Sequence, residues 1–228
     1  MSAFDLAKQP LRELNAALHL LTEQSNDLDW RVSNPEGKHA VAVGLKAPAS
    51  VVIEGHVGYY CAAMNQLANV RVEGSAGVGV AENIMSGEVR VMGDASQSAG
   101  ATGKGGLLVI EGSAAARCGI SMKGVEIVVA GDVGHMSAFM AQAGTLVVMG
   151  DAGEALGDSI YEARLYVRGS VKSLGADCIE KPMRDEHKKQ LGDLLARAGY
   201  ADVDPGAFKR YGSARKLYNF HVDNAGSY

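Results

Sequence analysis

Glycine recurs at an unbroken spacing of 19 residues over more than half of this 228-residue chain. The seven period glycines are Gly55, Gly74, Gly93, Gly112, Gly131, Gly150 and Gly169. No insertion or deletion interrupts the series, so every repeat supplies the same structural unit in the same length of chain. A fixed period of this kind is typical of solenoids, in which successive repeats stack on their neighbours.

The residues around each period glycine predict the form of the repeat. Only Val, Leu or Ile occurs four residues and two residues before it, which is the alternation of a β-strand with one buried face. The residue after it is His56 in the first repeat and Ser or Asp in the others, which are side chains that bond to backbone in turns. Seven residues after it only Ala or Gly occurs, so we expect close packing there against the backbone of the neighbouring coil.

These features predict an all-β fold, a right-handed parallel β-helix of seven 19-residue coils over residues 41–178. A leucine-rich repeat is the nearest alternative, but its Asn or Cys ladder and its Leu spacing are missing. A left-handed helix of hexapeptides would need a period divisible by six. Residues 1–40 are expected to form a helical cap or docking arm, and residues 179–228 a C-terminal helix and an extended tail.

Both flanks contain amphipathic helices. Leu11, Leu14 and Leu18 lie at helical spacing and predict a helix that begins near Pro10. A second stripe of leucines predicts a helix over residues 185–198, which Gly199 would end. The tail over residues 202–228 interleaves basic and aromatic residues, a mixture that can anchor in a partner protein or pack against the chain itself.

The outward face of the predicted strands changes character along the rod. It is charged in the early coils and apolar in the fifth and sixth, where Val128, Ala130, Val147 and Met149 occupy it. An apolar outward face indicates a covered surface. The sequence leaves open whether the chain's own helix or another protein covers it.

Composition excludes several classes of partner. The net charge of −4 gives no electrostatic reason for binding nucleic acid or an anionic membrane. We expect a cytoplasmic protein, since no signal peptide and no apolar run of membrane-spanning length are present. Cys61, Cys118 and Cys178 fall too far apart for a disulfide or a shared metal, so we expect no metal site and three buried thiols in a reducing compartment.

Catalytic motifs are missing from the sequence. The segment from Gly100 to Gly106 resembles a phosphate-binding loop, but it lacks the first glycine, the Ser or Thr after the lysine, and the following helix. Asp94, Asp132 and Asp151 recur at the corner and could bind a sugar or a cation, although no row of aromatic residues accompanies them. A stand-alone sugar-binding β-helix is therefore one alternative function.

The spacing of the glycines supports a family resemblance. The unit GxxGxxxG, complete in Gly150, Gly153 and Gly157, resembles the GXGXG repeat of the right-handed β-helix at the C-terminus of the glutamate synthase large subunit. One of the subunits of formylmethanofuran dehydrogenase has a similar module. As a separate chain with a leading helix and a tail, the protein is most similar to the small β-helix subunit of N-methylglutamate synthase, also called methylamine–glutamate N-methyltransferase.

The resemblance implies a non-catalytic structural subunit that binds no cofactor itself. Its expected partners are a glutaminase-type amidotransferase and a second protein that carries FMN and iron–sulfur clusters. The complex would make N-methylglutamate and ammonia from glutamate and methylamine. A split ammonia-dependent glutamate synthase and a formylmethanofuran dehydrogenase subunit remain alternatives. If the chain lines a tunnel of that complex or faces its flavin, we expect the contact at Gly100, Thr102, Gly103 and Lys104. This glycine-rich coil would expose backbone N–H groups beside a cation.

Overall fold

The computed structural model describes residues 1–214 of the chain. One sheet of 11 strands runs along the molecule in the order β1-β2-β3-β4-β5-β6-β7-β8-β9-β11-β10. The strands are β1 (Ser2–Asp5), β2 (Asp29–Ser33), β3 (Ser50–Glu54), β4 (Asn69–Val72), β5 (Glu88–Val91), β6 (Leu107–Ile110), β7 (Lys123–Val129), β8 (Ala143–Val148), β9 (Arg164–Val167), β10 (Cys178–Lys181) and β11 (Lys209–Ser213). The helices are α1 (Leu11–His19), α2 (Asp185–Arg197) and a short 3-10 turn (Pro205–Ala207).

Strands β3 to β9 confirm the predicted parallel β-helix. Each pairs in parallel with the next, in a register that sets residues 19 positions apart opposite one another, as in Val51 opposite Val70. A second row of parallel bridges follows the corner, from Val57 through Ala76 to Val171. Val51, Val57 and most of their counterparts in later coils are buried, which gives the rod a continuous interior of small aliphatic side chains.

The parallel ladder begins before residue 41. Strand β1 pairs in parallel with β2, and β2 pairs in parallel with β3. Helix α1 lies against this end of the rod, with Leu14 and Leu18 buried in the same core as the coils. The side chain of Asn15 donates to the Ala40 carbonyl at 2.8 Å and accepts from the Ala42 amide at 3.1 Å. These two bonds satisfy backbone groups that the first coil would otherwise leave open.

The other end of the rod is closed by the chain's own C-terminal segment. Strand β11 inserts antiparallel between β9 and β10, which begins at Cys178. Phe208 and Tyr211 are buried there, so the part of the tail up to residue 214 packs against the chain itself. The basic and aromatic residues of the tail beyond that point lie outside the described residues.

Helix α2 settles what covers the apolar outward face. Its leucines Leu191, Leu194 and Leu195 pack on Val128 and Val147 in a second buried cluster. Gln190 contacts Arg164 on β9, whereas Arg197 contacts Glu126 on β7, so the 13-residue helix crosses successive strands and lies along the rod. It begins at the predicted residue and ends at Arg197, with Gly199 left-handed at φ +93° just after it.

Three positions in each of the first six coils adopt left-handed backbone, at five, seven and nine residues after the period glycine. The first row is Tyr60, Gly79, Ser98, Arg117, Met136 and Ala155; the third is Met64, Asn83, Thr102, Ser121, Met140 and Ser159. The middle row, seven residues after the period glycine, holds only Ala or Gly. The sequence predicted that the backbone of the neighbouring coil packs against this row, and that prediction was wrong. A Cβ at Gly100 would lie 2.7 Å from Ile127 Cδ1, so interior side chains, not the neighbouring backbone, restrict this row.

Candidate functional site

The glycine-rich loop chosen from the sequence lies at the corner between β5 and β6. Its amides do not form an open cradle, and that premise of the prediction was wrong. The N–H of Gly100 donates to Val80, that of Thr102 to Ile120, and that of Lys104 to Ile84, at 2.9, 2.9 and 2.7 Å. The Gly103 N–H donates to the carbonyl of Gly100 at 3.2 Å. The coil-to-coil ladder and the turn itself therefore use these donors.

The burial and side-chain contacts of the same loop also indicate a structural role. Gly100 and Gly103 are buried, and a Cβ at Gly103 would lie 2.9 Å from Ile84 Cγ2 inside the coil. The Thr102 hydroxyl lies 2.6 Å from Asn83 Oδ1 in the preceding coil, and Lys104 is exposed. The glycines are thus explained by packing, and a tunnel or flavin-facing role of the loop stays a prediction.

The polar residues that follow the period glycines form a continuous ladder. In each coil the side chain accepts a hydrogen bond from the backbone N–H of its counterpart in the next coil. Asp94 Oδ1 accepts from Ser113 at 2.8 Å, Asp132 Oδ1 from Asp151 at 2.7 Å, and Asp151 Oδ1 from Ser170 at 2.7 Å. The bond from the Ser170 backbone lowers the pKa of Asp151. This column of acids therefore has a structural role in fastening the coils.

The three cysteines are free and buried. Burial raises the pKa of Cys61 and of Cys118 to about 12, and that of Cys178 to about 11. The thiolate is the nucleophile and the metal-binding form of cysteine. In the folded protein these side chains behave as small apolar groups, as the sequence predicts.

These buried thiols give the stability a definite pH dependence. The folded chain keeps the Cys118 proton to about pH 12, whereas the unfolded chain loses it above about pH 8.5. The unfolded state then binds fewer protons, so stability falls as pH rises from about 8.5, by up to about 1.4 kcal/mol per pH unit for one buried thiol. Urea midpoints from about pH 7.5 to about pH 10.5 should fall less steeply in Cys118→Ala than in the natural protein. Parallel profiles would contradict this.

The charged part of the outward sheet face lies beside helix α2. Arg90 bonds Glu88 at 3.0 Å and Glu111 at 2.5 Å, and its Nη2 donates to the Ala198 carbonyl at 3.0 Å. The hydroxyl of Tyr200 donates to Glu111. A cation on the last carbonyl of a helix is stabilising, so this network fixes the C-terminal end of α2 on the sheet.

Five large apolar side chains that follow the corners of the first two coils are exposed. This N-terminal corner patch consists of Tyr59, Tyr60, Met64, Leu67 and Met85, which are 44–50% exposed. The Tyr59 ring stacks on His39 with centroids 4.4 Å apart, and Tyr60 meets Tyr59 edge-on at 6.5 Å. Clustered apolar side chains at a protein surface mark interaction sites. Sequence reasoning missed the patch because the left-handed rows place Tyr60 and Met64 outward.

A cleft of about 290 Å³ opens between helix α2 and strands β7 to β9. Most of the residues that line it are polar: Glu126, Thr145, Arg164, Tyr166, Gln190, Asp193 and Arg197. The apolar ones are Leu191 and Leu194. Arg197 pairs with Glu126 at 2.6 Å, and Arg164 Nη1 donates to Gln190 Oε1 at 3.2 Å. The hydroxyl of Tyr166 is buried without a hydrogen-bond partner. Burial raises the pKa of Tyr166, and Arg164 and Arg210 act against that rise.

Residues 1–214 contain no group of three or more His, Cys, Asp or Glu side chains placed to hold a metal ion. None of the helices in this part of the chain has the length and the apolar character that crossing a bilayer requires.

The fold and these surfaces define a parallel β-helix protein closed by its own flanking segments, with exposed apolar side chains on its first two coils. Over 228 residues the chain is 65% identical to Protein GlxC of Rhizobium meliloti (strain 1021), and the match covers 100% of both chains. It belongs to the GlxC family. No family model matches the chain. No solved structure matches it either.

Proposed function

We propose that the chain is a structural subunit of a multi-subunit, glutamate synthase-like enzyme. The observation that carries this proposal is the N-terminal corner patch. Five large apolar side chains of the first two coils are each 44–50% exposed, on a rod whose apolar outward sheet face is covered by its own helix. Burying such side chains is favourable, so the patch suits a partner protein better than solvent.

The finer form of the proposal is a subunit of N-methylglutamate synthase. Its support is the GXGXG-type spacing of Gly150, Gly153 and Gly157 together with membership of the GlxC family. The partners would be a glutaminase-type amidotransferase and a protein with FMN and iron–sulfur clusters. In such a complex the β-helix holds the two partners in register, and the chemistry takes place on them.

The chemistry of the described residues also bears on the alternatives. In a stand-alone sugar-binding rod the aspartate column would be free to meet a ligand. Asp94, Asp132 and Asp151 instead accept hydrogen bonds from the next coil. The ladder thus gives these aspartates a structural role that requires no sugar ligand.

Purification of the tagged chain from its native cell tests the proposal. We expect it to bring down an amidotransferase-like protein and a yellow-brown protein with flavin and iron–sulfur absorption. Assays with methylamine and with ammonia then distinguish N-methylglutamate synthase from a split glutamate synthase. A tungsten or molybdenum protein in the purified material would point instead to formylmethanofuran dehydrogenase. Recovery of the chain alone and colourless under gentle conditions would contradict the subunit role.

The corner patch itself can be tested with substitutions that the fold already accommodates. Arg117 occupies the same left-handed row as Tyr60, and Asn83 the same row as Met64. We therefore expect the double variant Tyr60→Arg, Met64→Asn to fold normally and to retain about tenfold less partner, because apolar anchors dominate protein interfaces. Quantitative mass spectrometry of the purified complexes measures this.

The matched control is Met140→Asn. Met140 belongs to the same left-handed row as Met64 and is 43% exposed, but it lies further along the rod, in the fifth coil. It should retain the natural amount of partner. Equal retention by the double variant and the control, at unchanged melting temperature, would exclude the corner patch as the docking surface.

A further inference from the structure

The hydroxyl of Tyr166 has no structural purpose in the protein as it stands. Tyr166 is 1% exposed and packs in the cluster beneath helix α2, where the facing residues of the preceding strands are Val109, Val128 and Val147. A phenylalanine would fill the same space. The hydroxyl is nevertheless present, buried and without a hydrogen-bond partner, at the edge of the polar cleft. Buried polar groups are ordinarily satisfied, so this one points to a missing acceptor or donor.

Two arginines neighbour Tyr166 in the sheet. Arg164 precedes Tyr166 by two residues, on the same face of β9, and lines the same cleft. Arg210 lies directly opposite Tyr166 on β11. Within residues 1–214 neither guanidinium has a carboxylate at ion-pair distance; their partners are the Gln190 side chain and the Pro182 carbonyl. Both arginines also oppose the rise in the pKa of Tyr166, as expected for cations near its oxygen.

We propose that this cleft binds the carboxylate of a small organic acid, with Arg164 as the bidentate donor and the Tyr166 hydroxyl as a further donor. A guanidinium fork matches the geometry of a carboxylate, and a neutral hydroxyl completes the coordination of one oxygen. Glu126 and Asp193 also line the cleft. They repel a phosphate head, which carries up to two charges on one group, more strongly than one carboxylate group of a diacid whose second carboxylate extends to solvent, which favours a carboxylate over phosphate.

Calorimetric titration of the full chain tests the assignment, with succinate and inorganic phosphate as the probes. We expect saturable binding of succinate and weaker binding of phosphate. Arg164→Lys removes the bidentate fork and should weaken succinate binding about tenfold. Arg168→Lys is the matched control, because Arg168 directly follows the same strand but binds the Met149 carbonyl and does not line the cleft.

Tyr166→Phe separates ligand binding from packing. It should leave the melting temperature without ligand unchanged or higher, because it removes an unpaired buried hydroxyl. It should also lower succinate affinity about fivefold and reduce the rise in melting temperature that succinate causes.

Three results would overturn the assignment. They are the absence of saturable succinate binding, phosphate binding as tight as succinate binding, and unchanged succinate affinity in Tyr166→Phe and Arg164→Lys. Because the experiment uses the chain alone, its result does not depend on the assembly proposed above.

Discussion

Replacing Gly74 by alanine is expected to lower the free energy of unfolding by about 3 kcal/mol, at the upper end of the usual cost of overpacking. A Cβ at this position would lie 2.7 Å from the carbonyl carbon of Gly55 and 2.8 Å from the His56 nitrogen. These are backbone atoms of the preceding coil, so no rotamer change can relieve the contact. The first two coils would have to separate where the Glu73 N–H donates to the Ile53 carbonyl at 2.8 Å and the Val57 N–H donates to the Ser75 carbonyl at 3.0 Å.

Gly37→Ala is the control for this prediction. Gly37 adopts φ +71° and has no atom within 4 Å of a built Cβ. Its replacement therefore imposes backbone strain without a clash, at a cost of about 1 kcal/mol. Urea unfolding of both variants measures the difference. If Gly37→Ala costs as much as Gly74→Ala, close approach between coils is not what keeps glycine at the 19-residue period.

The period glycines explain why the fold could be predicted from sequence. From Gly74 onward each sits where backbone of the preceding coil passes within contact distance, so a larger residue is not accommodated and the spacing remains visible as a pattern. The left-handed rows at five and nine residues after the period glycine left no such pattern. Tyr60, Met64 and Arg117 occupy them because their side chains point outward, although left-handed backbone is uncommon for such residues.

The closure of the rod and the candidate site were harder to predict, because they depend on contacts between distant parts of the chain. An apolar outward face looks the same whether helix α2 or a partner covers it. The insertion of β11 between β9 and β10 joins segments that no local pattern relates. The glycine-rich loop from Gly100 to Lys104 was misjudged because a solenoid uses its loop amides between coils. Tyr166 was missed because a tyrosine on an apolar face is indistinguishable, in sequence, from a core residue.

Leu195→Ala is expected to lower the free energy of unfolding by about 3 kcal/mol, within the range for a fully buried leucine. Leu195 is 0% exposed in the second cluster, where helix α2 meets Val128 and Val147. The truncation leaves a cavity between helix and sheet that the rigid coil cannot close. Leu20→Ala, at a position 82% exposed, should change stability by less than about 0.5 kcal/mol. Urea unfolding of the two variants measures the difference.

The result for Leu195 also decides how helix α2 is used. A loss of about 3 kcal/mol means that the helix stays on the sheet in the free chain, because only a docked helix loses packing when the leucine is shortened. The apolar face of the fifth and sixth coils is then unavailable to a partner, and docking falls to the N-terminal corner patch. Unchanged stability would mean that the helix is undocked in solution. Val128 and Val147 would then belong to a second surface for a partner protein.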